Sequence, residues 1–373
     1  ASNPSVVNTD EAKVAPYQLP DPLIMDSGQP VENAEDWWQN RRPEILEHFK
    51  TLIYGKVPIA ATAGPIEILD SGTPAFNGTA IRKQVKIHLA NAPDAPSLYL
   101  VEYLPVASEQ PVPLLLMIGF TAPSATFNDP GLIETTVWDS FTKEKIAATK
   151  TPGAPDFPVE QFLNAGIGVA TYYYGDADPD FPEGYELGIR GFYNGKTDTK
   201  PAADSWGAIS AWAWSLSRVQ DYLETDPLVD SNNVALFGAS RLGNAVLWAA
   251  ANDQRFASVI ACCSGKLGGG LMRRDFGESI AGANAGAAKH WVAENLTAYY
   301  GKTEELPVDG HMLLGLIAPR PVLIQTGKLD HAADPKGAFL SAVAATPVYQ
   351  LLGSEGLAAD EWPPEKPILS DLG

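Results

Sequence analysis

A chain of 373 residues with 45% hydrophobic content can bury a large core, either as one big α/β unit or as two smaller domains. Its net charge of −19 argues against nucleic acid or an anionic membrane surface as a partner. No apolar run approaches the roughly 20 residues that span a bilayer, and the adjacent Cys262 and Cys263, the only cysteines, read as buried free thiols rather than a disulfide framework.

The opening ASNPSVV is a small, polar start that fits either a mature end left by signal cleavage or an artificial chain start; the first reading gives the expectation of a secreted or periplasmic protein. Residues 1–40 are rich in Pro and Asp and read as mostly extended chain. A helix is predicted over Asp36–Tyr54, where Trp37, Ile45, Phe49 and Ile53 recur at roughly helical spacing. IEILDSG, AIRKQVKIHLA and LYLVEYLP, between residues 64 and 105, are strand-length runs parted by Gly, Pro and Asn. They predict a β-rich N-terminal extension reaching to about residue 110. From about residue 112 the pattern alternates. Pro113–Phe120, Gly166–Tyr174, Val234–Phe237, Ala257–Cys263 and Pro321–Thr326 read as short apolar strands of the buried parallel kind. Between the second and third, Ile209, Trp212, Leu216, Val219 and Leu223 share one face of a predicted helix over Gly207–Glu224. The polar segment 121–160 is an insertion with little periodicity, either bordering a binding site or running over the surface.

The strand Val234–Phe237 runs into Gly238-Ala239-Ser240-Arg241-Leu242-Gly243 and then directly into an Ala-rich helix. Strand, small-residue turn with a serine, helix: this is the layout of a nucleophile elbow, which holds the hydroxyl clear of the sheet at the positive end of a helix. The spacing is GxSxxG rather than GxSxG, and an ordinary Ser-capped turn uses the same residue types. With the alternating strands it describes a three-layer α/β-hydrolase fold, a mostly parallel central sheet in a single domain over residues 1–373. In that fold the acid follows a later strand, here PVLIQTG, which places Asp330 just past the strand end with Asp334 as the fallback. Either could instead cap the helix starting near Pro335.

No general base stands out. His48 lies on the N-terminal helix and His88 on an early strand. His311 opens an apolar helical run, and His331 adjoins Asp330 too closely to face it. No histidine, His290 included, occupies a separate loop beyond the acid.

LPVDGHMLLGLIAPRPV, SRLGNAVLWAAANDQRFASVIACCSG, DPKGAFLSAVAATPVYQLLG and RRPEILEHFKTLIYGKVP together resemble the bacterial branch of carbohydrate esterase family 15, the glucuronoyl esterases, from about residue 15 onward. That family's elbow reads G-C/H-S-R-x-G-K. The resemblance therefore implies Ser240 as nucleophile and Arg241 as oxyanion stabiliser through its backbone N–H and guanidinium. The family's Lys, which contacts sugar hydroxyls, is Asn244 here. Fungal members carry a catalytic Glu where this chain has Cys263, so the acid is expected at Asp330. The family's His lies in a Gly- and His-rich segment after a P-x-x-x-x-L-G stretch; this chain reaches PILSDLG, so the base is expected beyond Gly373. Trp291 matches the tryptophan beside the bound uronate and would offer its indole N–H or its face.

Arg273, Arg274 and Glu278 form a charged cluster that either meets a substrate carboxylate or makes a solvated ion-pair face. The acids of YYYGDADPD read as turn formers rather than catalysts, and no histidine accompanies them to favour a metal. The expected activity is serine-ester hydrolysis of 4-O-methyl-glucuronate esters joining glucuronoxylan to lignin alcohols, with no metal or organic cofactor. The alternatives are an esterase for acetyl or aryl esters and a non-catalytic carbohydrate-binding relative. The 121–160 insertion has no amphipathic apolar lid, which disfavours a lipase.

Overall fold

The computed structural model describes residues 7–106, 108–153, 156–194, 200–284, 286–357, 359 and 361–362. Its sheet begins with three antiparallel strands, β1 (Ile66–Ala75), β2 (Ala80–His88) and β3 (Ser97–Pro105), from the predicted β-rich extension. β4 (Val112–Gly119) follows. The 121–160 insertion then makes a small separate hairpin, β5 (Thr136–Trp138) with β6 (Lys145–Ala147). β7 (Gly168–Tyr173), β8 (Val229–Ala239), β9 (Ser258–Cys262) and β10 (Val322–Gln325) complete an eight-stranded sheet in the order β1-β2-β3-β7-β4-β8-β9-β10. From β7 onward every pairing is parallel, and β3 joins the two parts by running antiparallel to β7.

β4 and β7 are apolar almost throughout because helices cover both faces of a parallel sheet. β10 departs from that expectation. Among the described residues it is an edge strand of the sheet, and Leu323 is exposed on it. Cys262 and Cys263, at the end of β9, are half-buried free thiols rather than fully buried ones.

Six helices matter for the site: α1 (residues 34–54), α2 (Val159–Asn164), α3 (Ala208–Leu223), α4 (Arg241–Asn252), α5 (Gly310–Ile317) and α6 (Pro335–Leu351). The Asn33 side chain caps α1 by accepting the Asp36 N–H, and π-type turns interrupt the helix. It buries Trp37, Ile45, Phe49 and Ile53, the predicted stripe, while Ile209, Trp212, Leu216, Val219 and Leu223 of α3 are likewise buried. α1 also sends a cation inward. The Arg42 guanidinium donates to Ala251 O at 2.6 Å and to Leu316 O at 2.9 Å, the carbonyl ends of α4 and α5. Those carbonyls have no intrahelical partner, and a cation also suits the negative end of a helix dipole.

Candidate active site

Ser240 stands between β8 and α4 with φ 54° and ψ −130°, a conformation that costs an L-residue and is held only by its surroundings. Its N–H donates to Cys262 O on β9 at 2.8 Å, and its carbonyl accepts from Gly243 N–H at 2.8 Å. A Cβ at Gly238 would lie 2.2 Å from Leu242 O, so only glycine allows the turn to close this tightly. Arg241 is the first residue of α4, where backbone N–H groups lack intrahelical acceptors and the helix dipole is positive. The structure thus builds the strained serine turn that the GxSxxG pattern suggests.

The Arg241 side chain ion-pairs with Asp180, and its guanidinium lies 4.7 Å from the Trp291 ring centre and 5.7 Å from that of Phe120. Its Nε is buried and has no hydrogen-bond partner among the described residues. Asp180 Oδ1 accepts the Trp291 indole N–H at 2.7 Å and lies 2.9 Å from His290 Nε2; Oδ2 accepts the Tyr174 hydroxyl at 2.8 Å. Burial alone would raise this carboxyl. His290, Arg241 and Trp291 outweigh that and hold it well below the usual carboxylate range. The Trp291 indole N–H is therefore committed to Asp180, which leaves the ring for packing.

Asp330 lies half-buried in the loop after β10, with a long 3.3 Å contact from Ala333 N–H to its carboxylate. Close by are Glu278, whose carboxyl burial and the Asp330 charge push upward against Lys266, and Cys263, whose thiol is pushed up to about 11 by burial, Cys262 and Asp330. A Cβ at Gly265 would come 3.2 Å from Glu278 Oε1, so this carboxylate sits against the loop that follows β9. Asp334 is fully buried. It caps α6 by accepting Gly337 N–H and pairs with Arg274 at 3.1 Å, so it serves the helix. Asn244, on the first turn of α4, is buried, and its Oδ1 has no partner among the described residues.

The arginine cluster is neither of the two forms read from sequence: Arg273 pairs with buried Asp309 at 3.0 Å and Arg274 with Asp334, both inside the protein. Among the described residues no histidine hydrogen-bonds Ser240 or Asp330. His48 meets Asp26 at 2.6 Å, His88 meets Ser97 at 3.1 Å, His311 donates to Pro20 O at 2.9 Å, and exposed His331 packs near Phe276. Nor does any group of three or more described His, Cys, Asp or Glu residues have the arrangement of a metal site.

Sequence reasoning missed the Asp180 group, although YYYGDADPD contains it. The acids of that segment are alike in sequence and different in the fold. Asp178 is buried against Arg190 at 2.7 Å. Asp176 is pushed up to about 7 by burial, against Lys145 and the Tyr99 N–H. With its folded value above the unfolded 3.8, Asp176 favours folding at acid pH and loses that contribution as pH rises through about 7. Asp176→Asn is therefore expected to melt increasingly above the parent between about pH 4 and pH 8. A melting difference that stays flat over that range would contradict this reading.

Comparison with known proteins agrees with this geometry. The family model described as "Glucuronyl esterase, fungi" matches residues 162–353. Carbohydrate esterase MZ0003, from an unknown prokaryotic organism, is 41% identical over 100% of this chain and 87% of its own length. A 4-O-methyl-glucuronoyl methylesterase of Phanerochaete carnosa is 26% identical over 90% of this chain and 72% of its own. The solved glucuronoyl esterase from Solibacter usitatus superposes with a TM-score of 0.90 at 39% identity, covering 96% of this chain and 92% of that one. The elbow serine, the parallel sheet and these matches lead to one conclusion: the chain belongs to the glucuronoyl esterases, the carboxylic-ester hydrolases of carbohydrate esterase family 15.

Proposed function

We propose that this enzyme hydrolyses 4-O-methyl-glucuronate esters that join glucuronoxylan to lignin alcohols, through an acyl-enzyme on Ser240. The observation that carries the reading is the elbow itself, a strained serine at the head of α4 beside an arginine whose buried Nε–H has no partner among the described residues. Ser240 Oγ attacks the ester carbonyl carbon and gives its proton to a histidine that Asp330 orients. The developing oxyanion is stabilised by the Arg241 backbone N–H and guanidinium. The histidine passes the proton to the departing alcohol. Water, deprotonated by the same base, then attacks the acyl carbon and releases the uronic acid and free Ser240.

Trp291, fixed through its indole nitrogen, would offer its ring to the sugar. Glu278 and Asn244 would supply polar contacts. The chain would act as a single domain with the β5–β6 hairpin at the rim of the site. Trp138 of that hairpin donates to Gly175 O at 3.1 Å and packs on Phe181, next to Asp180. A polymeric plant-wall substrate fits a secreted or periplasmic enzyme.

One observation favours a wider substrate range: a neutral Asn244, buried with its Oδ1 unpartnered among the described residues, stands where the family has a cationic sugar contact. Hydrolysis of benzyl glucuronate by the full-length protein, compared with benzyl galacturonate, acetylated xylan and an aryl acetate, separates the two. The glucuronate ester should have the highest kcat/KM. An equal or higher value for the acetyl esters would overturn the assignment.

A further inference from the structure

Arg241 is exposed enough to swing away from the serine, yet the fold spends an almost fully buried carboxylate on restraining it. The Asp180 side chain is 8% exposed and that of Arg241 is 34%. Long arginine side chains lose considerable rotamer freedom when fixed, so an unheld guanidinium would sample many positions. An oxyanion donor helps only when it is already in place as charge develops.

Four donors converge on Asp180: the Arg241 guanidinium, the Trp291 indole, the Tyr174 hydroxyl and the His290 ring. They come from different parts of the chain. Tyr174 follows β7, Arg241 opens α4, and His290 and Trp291 end a short helical turn, Gly286–Trp291. Trp291 and Phe120 then lie on the guanidinium, and Phe120 meets Tyr174 edge-on at 5.5 Å. Asp180 takes the guanidinium at Nη1, whereas Nε–H has no partner among the described residues. The carboxylate thus fixes the group without using all its donors.

We propose that Asp180 is the positioning residue of the oxyanion site, setting the Arg241 guanidinium relative to Ser240 while itself touching no substrate. The proposal rests on the role given to Arg241 in the reading above. It predicts a specific division of kinetic effects. Asp180→Asn keeps an oxygen that can accept the Trp291 indole N–H but loses the charge that holds Arg241, so it should lower kcat about 10- to 100-fold, a fraction of the roughly 100- to 1,000-fold that losing an oxyanion donor costs, and leave KM near the parent value. In an Arg241→Gln background the same substitution should cost little more, because the residue it positions is already gone. Asp180→Glu keeps the charge one methylene further out and should recover part of the loss.

The test is steady-state kinetics on benzyl glucuronate with the full-length protein and its Asp180→Asn, Asp180→Glu, Arg241→Gln and double variants, with melting curves alongside. A merely structural role would lower the melting temperature and the active fraction equally in both arginine backgrounds, and that result overturns the proposal. Should Asp180→Asn fail to fold, Asp180→Glu reads the same division between kcat and KM. A kcat that falls in Arg241→Gln but not in either Asp180 variant overturns this inference alone. A kcat unchanged in Arg241→Gln removes the arginine's role, and this inference with it.

Discussion

Ser240→Ala should abolish ester cleavage, lowering kcat by at least about 10⁴-fold while the protein stays folded. The serine is the only atom source for the acyl bond in the proposed reaction, and the remaining oxyanion donors give only residual catalysis over water. The backbone supplies a second, independent reading. At φ 54° and ψ −130° any side chain carries strain, and glycine alone is free of it. Ser240→Gly should therefore be as inactive as Ser240→Ala but more stable, by about 1 kcal/mol. Activity is read from acid release on benzyl glucuronate, stability from urea unfolding. Activity surviving in both variants would show that the ester is opened elsewhere. A glycine variant no more stable than the alanine one would show that the elbow is not strained.

Asp330→Asn is expected to cost about 10³- to 10⁴-fold in kcat with little change in stability, since this half-buried carboxylate accepts a single, long hydrogen bond among the described residues. An asparagine there would favour the wrong imidazole tautomer and would not stabilise the imidazolium. Asp334→Asn makes the contrast. It weakens a helix cap and leaves the buried Arg274 short of a partner, so it should lose on the order of 3 kcal/mol of stability while folded molecules keep their activity. The reverse pattern, an active Asp330→Asn and a folded but inactive Asp334→Asn, would move the acid. Loss of activity in Glu278→Gln with Asp330→Asn unaffected would move it to Glu278.

The elements were legible where local pattern and tertiary environment agree. Val234–Phe237 followed by small residues could hardly be anything but a strand leading into a tight turn, and β8 and α4 meet there. The stripe Ile209, Trp212, Leu216, Val219 and Leu223 is buried as its spacing implies. The β5–β6 hairpin was not legible, because strands of three residues carry too little alternation to stand out from loop. The edge position of β10 was hidden as well, since an apolar run does not say how many neighbours it will have. Site chemistry divides in the same way. Ser240 announces itself through the glycines its turn requires. Asp180 does not, because three aspartates within five residues look equivalent until the fold buries one with an arginine, gives another a single backbone N–H and gives the third four donors.

The Arg42 guanidinium sets a timetable for the ribosome. The carbonyls it fastens lie 209 and 274 residues further along, so the first long helix to leave the exit tunnel waits for most of the chain before it can dock. Contacts of such separation form slowly. Ala251 O of α4 can meet Arg42 as soon as α4 has emerged, and Leu316 O joins the same guanidinium only once α5 has been synthesised. A nascent chain halted between the two would display the serine motif without the frame that gives it reactivity, and would offer chaperones an unpaired apolar face in the meantime.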